Sequence, residues 1–264
     1  MGQQYSAPKE GAEFRVIGAG FPRTGTASFS KALESLLDGP VYHGGTQLTL
    51  GPESEVKKWI KLFSPKPPLS PDETTSRGNL KLIKGQLTGY VATTDVPGVC
   101  LVPQLLELYP DAKVICTVRD IDSWEKSMEG VSNAATQWFL WFVLFPLPTM
   151  RLFPRFVDVM RPHWLHMYGE IEPPTRKSYN GHMEQLKEIV PADRLFFVDV
   201  RDGWEPLCKA LDVPVPKDIP FPRINDSKAI EDMAKKQLIR GLSSWVAIFA
   251  VIGTGIHFSV NKWL

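Results

Sequence analysis

Short apolar runs, each followed by a helix-like spacing of apolar residues, recur along most of the chain. The first run is Val16-Ile17-Gly18-Ala19-Gly20, and apolar residues then return three or four positions apart through segment 26–37. A short apolar run bounded by glycine is typical of a buried strand, whereas a period near 3.6 is typical of an amphipathic helix. The pattern therefore predicts a strand, a loop and a helix, in that order.

Four later runs also have the length of strands. They are 41–43, 90–95, 113–118 and 195–200, and helix-like segments occupy 101–108, 121–129 and 204–211. Run 41–43 fits an extended loop as well as a strand, and the proline-rich stretch 64–76 predicts a surface excursion. Strands that alternate with helices favour a parallel sheet with helices on both faces, so we predict an α/β fold with a doubly wound sheet.

Two apolar segments do not fit this alternation, and the first is 138–145. It reads Trp-Phe-Leu-Trp-Phe-Val-Leu-Phe, so five of its eight residues are aromatic. Eight residues are too few to cross a bilayer. We expect a core helix or an active-site lid, and the alternative is a surface that touches a membrane.

The second segment, 241–261, contains no Asp, Glu, Lys or Arg. As a helix, its 21 residues would extend about 30 Å, the thickness of the hydrocarbon core of a bilayer. Three basic residues precede it within 235–240 and only Lys262 follows, which orients the main domain towards the cytosol. Trp245 and Trp263 lie near its two ends, as interfacial anchors do. We predict a single-pass C-terminal membrane anchor; a helix packed on the domain or on a partner is the alternative.

These patterns divide the chain into four parts. They predict a flexible N-terminal tail over 1–13, one folded domain over 14–226, a linker helix over 227–240 and the anchor over 241–264. The tail lacks the apolar region of a secretory signal, which agrees with a cytosolic domain. It begins Met-Gly-Gln-Gln-Tyr-Ser, which fits myristoylation of Gly2, and a disordered tail is the alternative.

Composition excludes several classes of site. Thirty Lys and Arg balance twenty-nine Asp and Glu, so the net charge of +1 argues against a nucleic acid as the main partner. Cys100, Cys116 and Cys208 are too few and too scattered for a disulfide framework or a zinc site, so we expect reduced structural thiols.

The loop after the first predicted strand reads Gly20-Phe21-Pro22-Arg23-Thr24-Gly25-Thr26. At a strand-to-helix turn, backbone N–H groups converge and the helix dipole favours an anion. Glycine allows close approach of the backbone, and an arginine adds a charged, forked donor. The loop is therefore predicted to cradle the phosphate of a nucleotide.

The sequence of this loop departs from two common nucleotide-binding motifs. A Walker A loop has lysine where Thr26 stands, and a dinucleotide fingerprint has its third glycine where Arg23 stands. The Tyr-x-x-x-Lys pair of short-chain dehydrogenases is absent around Tyr90 and Tyr109. These mismatches argue against an ATPase and against a dinucleotide-binding enzyme. An NAD-dependent epimerase-like oxidoreductase stays an alternative, and so does a non-catalytic nucleotide-binding protein tethered to a membrane.

The run Pro22-Arg23-Thr24-Gly25-Thr26 resembles the Pro-Lys/Arg-Ser/Thr-Gly-Thr loop of sulfotransferases that use 3′-phosphoadenosine 5′-phosphosulfate. That family carries a second motif, a buried strand that ends in Val-Arg with a serine eight residues after the arginine. Val118-Arg119 and Ser127 match it. The resemblance extends from about Phe14 to Asp226 and is strongest to a sulfotransferase-like branch common in fungi.

This resemblance implies a P-loop NTPase-like three-layer sandwich. It implies transfer of a sulfonate, without a metal, to a hydroxyl or amine of a small acceptor. Arg23 would hold the 5′-phosphosulfate, and Arg119 with Ser127 would hold the 3′-phosphate. The donor-binding residues that it indicates are Pro22, Arg23, Thr24, Gly25, Thr26, Ala27, Arg119 and Ser127.

The catalytic base is predicted with two candidates. His43 lies just beyond the first helix, near where tyrosylprotein sulfotransferases place a catalytic glutamate, and histidine titrates near neutrality. Asp95 ends a predicted strand, where cytosolic sulfotransferases place a histidine. We favour Asp95 over His43, with a loop-fixing hydrogen bond as the alternative role for either, and Arg23 completes the predicted catalytic set. Gly203 and Trp204 are candidates to border the nucleotide, although Trp204 also suits the core.

Overall fold

A computed structural model describes residues 5–65, 67–69, 73–224 and 226–261. The candidate myristoylation site Gly2 and the candidate anchor residues Lys262 and Trp263 lie outside the described residues.

Five parallel strands form one sheet in the order β2-β3-β1-β4-β5. They are β1 (Val16–Gly18), β2 (Val41–His43), β3 (Ala92–Thr94), β4 (Lys113–Val118) and β5 (Leu195–Asp199). In the central strand, Ile17 pairs with Thr93 on one side and with Val114 on the other. The predicted parallel sheet is confirmed, and 41–43 is a strand.

Eleven α-helices connect and cover the strands in the described residues. They are α1 (Thr26–Leu37), α2 (Gly44–Leu50), α3 (Glu53–Phe63), α4 (Glu73–Leu87), α5 (Val102–Leu108), α6 (Ile121–Ala135), α7 (Leu140–Val143), α8 (Phe153–Tyr168), α9 (Arg176–Ile189), α10 (Trp204–Leu211) and α11 (Asp226–Asn261). Short 3₁₀ turns occupy Gly98–Leu101, Met150–Leu152 and Val200–Asp202. Helix α6 continues six residues beyond the predicted end at 129, and α4 begins inside the predicted excursion 64–76.

Alternate strand residues face opposite sides of the sheet, as the two-residue period of a strand requires. Val16 and Ile115 pack in a cluster with α1 and α10, whereas Ile17 and Val114 pack in a larger cluster with α3, α5, α8 and α9. The sheet is therefore the middle layer of an α/β sandwich with more helices on one face than on the other.

The predicted linker helix and the predicted anchor form one continuous helix. α11 has 36 residues, and no break separates 240 from Gly241. Its stretch Ile230–Ile256 is long and apolar enough to cross a membrane, and only 6% of the most apolar part is buried. A core helix of a soluble domain would instead be mostly buried.

Segment 138–145 has two sides. Leu140 and Leu144 are buried with Met150 and contact Leu238 of α11. Trp138, by contrast, is 82% exposed and Phe145 62% exposed. The expectation of a core helix therefore describes only the inner side of this segment.

Candidate active site

The predicted site residues leave the same edge of the sheet. His43 ends β2, Asp95 follows β3, the loop 19–25 follows β1, and Arg119 follows β4. Because the strands are parallel, their carboxyl ends lie together, and open α/β sheets bind ligands at this edge. The structure therefore brings these residues to one side of the molecule.

The loop between β1 and α1 has an unusual backbone. Gly25 has φ 92° and Arg23 has φ 72°. Only glycine adopts such a φ at little cost, and a Cβ added at Gly25 would lie 2.5 Å from Cγ2 of Val200. At Arg23 the same conformation is strained, which is typical of functional loops whose surroundings hold them in place.

The amino end of α1 faces this loop. No side chain of the described residues caps α1, and its first backbone bond runs from Phe29 N to Gly25 O at 3.0 Å. The N–H groups of Thr26, Ala27 and Ser28 therefore precede the helical ladder, where they favour an anion. This is the arrangement that the sequence predicts for a phosphate cradle.

Thr24 serves the loop itself. Its hydroxyl donates to Phe21 O at 2.6 Å and lies 2.6 Å from Oγ1 of Thr117 on β4. Its N–H also donates to Phe21 O, at 3.3 Å. Both polar groups of this predicted donor-binding residue are thus directed into the protein, and the contact with Thr117 ties the loop to the sheet.

Arg23, Arg119 and Ser127 are in direct contact. Arg23 Nε donates to Ser127 Oγ at 2.9 Å, and Arg119 Nη1 donates to the Arg23 carbonyl at 3.1 Å. Arg23 is buried, with only 5% of the residue exposed. The residues expected at the two ends of the donor are therefore neighbours, and Arg23 extends towards the predicted 3′-phosphate side.

Two aromatic residues that sequence reasoning missed hold this cluster. Trp124, one turn before Ser127 on α6, donates from Nε1 to the Pro22 carbonyl at 2.9 Å. The Tyr179 hydroxyl accepts from Arg119 N–H at 3.1 Å and donates to the Arg119 carbonyl at 3.2 Å. The sequence did contain a signal for Trp124, because it lies three residues before Ser127 and residues three apart lie on the same face of a helix.

His43 and Asp95 meet over Thr26. The Thr26 hydroxyl donates to Asp95 Oδ2 at 2.8 Å, and His43 Nε2 lies 3.4 Å from the same hydroxyl and 3.5 Å from Asp95 Oδ2. The two candidate bases are therefore one cluster, attached to the first residue of α1. Their side chains are 13% and 11% exposed.

The hydrogen bonds of His43 indicate its tautomer. Thr46 N–H donates to His43 Nδ1 at 3.2 Å, so Nδ1 acts as an acceptor. A neutral imidazole carries one proton, which must then be on Nε2, the nitrogen that faces Asp95. In this state His43 presents a donor to the Asp95 carboxylate.

Asp95 is held in a strained conformation at the end of β3. Its φ is 68°, and its Oδ1 accepts from Val96 N–H at 2.6 Å. Aspartate tolerates the left-handed region better than most residues because its side chain bonds to the nearby backbone. Gly44 packs against this turn, since a Cβ there would collide with the Val96 carbonyl.

His182 supports the loop from beneath. Its Nε2 donates to the Ala19 carbonyl at 2.7 Å, and its ring stacks on Phe21 with centroids 4.3 Å apart. Burial lowers the pKa of His182 to about 4, so it is neutral at pH 7. No periodic signal in the sequence distinguishes this histidine from an exposed one.

Two further expectations, for Trp204 and for the cysteines, concern residues outside this cluster. Trp204 is buried and donates from Nε1 to Ile219 O at 2.7 Å, so it belongs to the core. The three cysteines are buried and unpaired, and burial raises the pKa of Cys100 to about 12. A cavity of about 330 Å³ lies at the opposite edge of the sheet, around Arg15 and Val91, and contains none of the predicted site residues.

Comparison with known proteins agrees with the sequence motifs. Residues 15–230 match the family model of a sulfotransferase domain. The chain is similar to Ava biosynthesis cluster protein M of Aspergillus versicolor, with 31% identity over 219 residues that make up 80% of each protein. Among solved structures, sulfotransferase STF9 of Mycobacterium avium matches with a TM-score of 0.34 and 14% identity, covering 90% of this chain and 69% of that one. On the family match and the sequence relative, this chain belongs to the sulfotransferase family.

Proposed function

We propose that this protein transfers a sulfonate from 3′-phosphoadenosine 5′-phosphosulfate to a hydroxyl or amine of a small acceptor. The observation that supports this donor most directly is the contact of Arg23 with both Ser127 and Arg119 beside the amino end of α1. A donor with two separate anionic groups needs two adjacent cationic groups, and forked arginine donors suit phosphate oxygens.

The donor would span these groups. Its 5′-phosphosulfate lies at the amino end of α1, where the N–H groups of Thr26 and Ala27 and the Arg23 guanidinium neutralise it. Its 3′-phosphate lies on Arg119 and Ser127, and this second contact selects the donor over ATP. The buried hydroxyl of Thr24 shapes the loop, so Thr24 contributes through the loop conformation.

Transfer of the sulfonate then requires in-line geometry and a base that accepts the proton of the acceptor group. The acceptor oxygen or nitrogen forms a bond to sulfur while the bond from sulfur to the bridging phosphate oxygen breaks. Negative charge that develops on the leaving phosphate is stabilised by Arg23 and by the amino end of α1. The acceptor proton passes to the Asp95 carboxylate.

Asp95 is the better base of the pair in the geometry described. His43 Nδ1 accepts from Thr46 N–H, and its Nε2 faces Asp95 as a donor. A neutral histidine in this tautomer has no open nitrogen for the acceptor proton. We assign Asp95 as the base and His43 as the residue that orients and stabilises the carboxylate.

We also propose that α11 anchors the protein in a membrane with the catalytic domain in the cytosol. Only 6% of its most apolar part is buried, and basic residues 235–240 precede the segment that would span. The corresponding parts are a tail over 1–13, the catalytic domain over 14–226 and α11 beyond it.

Calorimetric titration of the purified full chain with 3′-phosphoadenosine 5′-phosphate, NAD and ATP tests the donor. We expect tight binding of the bisphosphate and weak binding of ATP. Binding of NAD alone would instead indicate an epimerase-like oxidoreductase. Tight binding of the bisphosphate without transfer to any of a panel of phenols, alcohols and amines would indicate a non-catalytic nucleotide-binding protein.

A further inference from the structure

The exposed side of segment 138–145 is an apolar surface that contributes none of the candidate site residues described above. Trp138 is 82% exposed, Phe145 62%, Phe142 54% and Trp141 47%. The longer stretch 136–150 contains no Asp, Glu, Lys, Arg or His. Soluble proteins rarely expose contiguous aromatic surface of this kind, and such patches mark sites of interaction.

This surface is joined to α11 at the start of its apolar part. Trp245 stacks on Phe142 with centroids 4.5 Å apart and planes 5° apart, and it also stacks on Phe145 at 6.1 Å. Trp245 Nε1 donates to the Phe142 carbonyl at 2.8 Å. A Cβ at Gly241 would collide with the Val143 carbonyl, so the backbones approach closely. The position of α7 relative to α11 is therefore held by stacking, by a hydrogen bond and by close packing.

The contact between segment 138–145 and α11 also determines how deep the aromatic rings of this segment would lie in a bilayer. Trp245 lies one helical turn inside the uncharged stretch that begins at Gly241. If α11 crosses a bilayer, the rings of Phe142 and Phe145 lie at the level of Trp245, at the boundary between headgroups and acyl chains. Tryptophan and phenylalanine side chains are stabilised at this boundary, where large apolar rings leave water.

We propose that the exposed side of 138–145, together with Trp245, is a membrane-docking surface that lies in the interfacial layer of the bilayer. It would hold the catalytic domain against the membrane in one orientation. This inference rests on the proposed membrane anchor, and it commits to lipid as the occupant because the surface is continuous with the apolar face of α11. A second protein copy is the competing occupant.

Fluorophores at single sites of the full chain test the proposal. Trp138→Cys would carry an environment-sensitive nitrobenzoxadiazole label at the docking surface, and Val251→Cys would carry it at the centre of the uncharged stretch 241–261 of α11. Lys209→Cys on α10, on the other face of the sheet, is the matched control. The native cysteines are buried, so labelling at each introduced site is selective.

Each labelled protein is reconstituted into phosphatidylcholine vesicles, with or without lipid that carries a doxyl quencher near the headgroup. At 138 we expect a blue-shifted emission, loss of intensity with the doxyl lipid and protection from aqueous iodide. At 209 we expect strong quenching by iodide and no response to the doxyl lipid. At 251 we expect protection from iodide.

The three labels separate the possible failures. If 251 is protected but 138 is quenched by iodide as strongly as 209, the anchor stands and the docking surface is refuted. If 138 is shifted to the blue without quenching by doxyl lipid, protein covers it and the lipid proposal is refuted. If iodide quenches all three, the anchor and the docking surface fail together. Binding of 3′-phosphoadenosine 5′-phosphate, measured on the same samples, shows whether the proposed donor site is independent of either failure.

Discussion

The Nε atom of Arg23 donates a hydrogen bond to Oγ of Ser127, 104 residues later in the chain, at 2.9 Å. This bond joins the phosphate loop after β1 to helix α6 after β4. It directs the guanidinium from the loop proposed for the 5′-phosphosulfate towards Ser127, one of the two residues proposed for the 3′-phosphate. A donor that binds here therefore meets an arginine whose direction depends on Ser127.

Ser127→Ala should weaken binding of 3′-phosphoadenosine 5′-phosphate by about 10- to 100-fold. The variant loses the hydroxyl that accepts from Arg23 Nε and that is proposed to donate to the 3′-phosphate. Hydrogen bonds to charged groups are worth about 1.5–3 kcal/mol each. Titration calorimetry measures the change. Ser123→Ala, which removes an exposed hydroxyl from the same helix, should leave the affinity near that of the wild type; equal losses in both variants would indicate damage to α6.

Arg119→Ala should separate two nucleotides that differ only in the 3′-phosphate. Affinity for 3′-phosphoadenosine 5′-phosphosulfate should fall by roughly 10- to 100-fold, whereas affinity for adenosine 5′-phosphosulfate, which lacks that phosphate, should hardly change. Competition binding measures both.

Arg119 also donates to the Arg23 carbonyl, so a loop distorted by the substitution would weaken both nucleotides equally. That result would contradict the assigned role. Arg119→Lys keeps the positive charge but loses the planar fork, and it should have an intermediate affinity for the 3′-phosphorylated donor alone.

Asp95→Asn should lower the rate of transfer by about 10²- to 10⁴-fold, the usual contribution of a general base. Asparagine tolerates the left-handed φ of this position, and its carbonyl oxygen still accepts hydrogen bonds from Val96 N–H or Thr26. Folding and donor affinity should therefore survive. Single-turnover transfer of a radiolabelled sulfonate to an acceptor found in the panel measures the rate.

His43→Gln should reduce the same rate less than Asp95→Asn does, because His43 acts through the carboxylate. The glutamine side chain can still donate towards Asp95, so donor affinity is again the internal control. A larger loss in His43→Gln than in Asp95→Asn, at equal donor affinity, would make His43 the base.

Much of this site could be predicted because its motifs are local. Arg23 and Thr26 occur in one loop, and Arg119 and Ser127 are joined by one strand end and one helix. The contact of His43 with Asp95 depends instead on β2 lying beside β3, and apolar periodicity does not specify which strands are neighbours. Asp95 and His43 were therefore predicted as separate candidates, whereas the structure places them in one cluster.

The supporting residues were missed for a related reason. Tyr179 and His182 lie on α9, whose position is determined by packing against α6 and α8 on the same face of the sheet. Their hydrogen bonds to Arg119 and to Ala19 are long-range, and their sequence context is that of an ordinary amphipathic helix. The continuous α11 was split in the prediction because charge stops at Arg240, although the helical backbone does not.

His182 should make the protein less stable in mild acid. Its pKa is lowered from 6.5 to about 4 in the folded protein, so between these values the unfolded chain binds more protons. The free energy of unfolding then rises with pH, and this contribution is lost as the pH falls from about 6.5 to about 4. The full loss from this one group is about 3 kcal/mol.

Chemical denaturation at pH 7 and at pH 4 measures the effect in the wild type and in His182→Gln. The variant loses the stack on Phe21 and is less stable at both pH values, but the difference between them should shrink by about 3 kcal/mol. His166→Gln changes an exposed histidine on α8 and should keep the dependence of the wild type. An unchanged dependence in His182→Gln would show that the pKa of His182 is the same in the folded and unfolded protein, and would contradict the lowered value.

A charge at the centre of the uncharged stretch 241–261 tests the anchor without removing the contacts of Trp245 and Gly241. Val251 is 71% exposed, so Val251→Arg causes no clash within the protein. An arginine at the centre of a spanning helix costs about 2.5–3.5 kcal/mol of insertion free energy, and carbonate-washed membranes should retain much less of this variant than of the wild type.

Leu242→Arg is the matched control, because it adds the same charge at an exposed position beside Arg240, where a basic residue on the cytosolic side is favourable. It should stay with the membranes. If the wild type is itself released by the wash, α11 packs on a protein partner and the anchor is refuted.

Deletion of 241–264 tests the anchor by a second route, although it also uncovers Phe142, whose ring stacks on Trp245. Release of the deletion variant together with retention of Val251→Arg would mean that 241–264 binds the membrane without residue 251 lying in the hydrocarbon core, which would contradict the proposed spanning position.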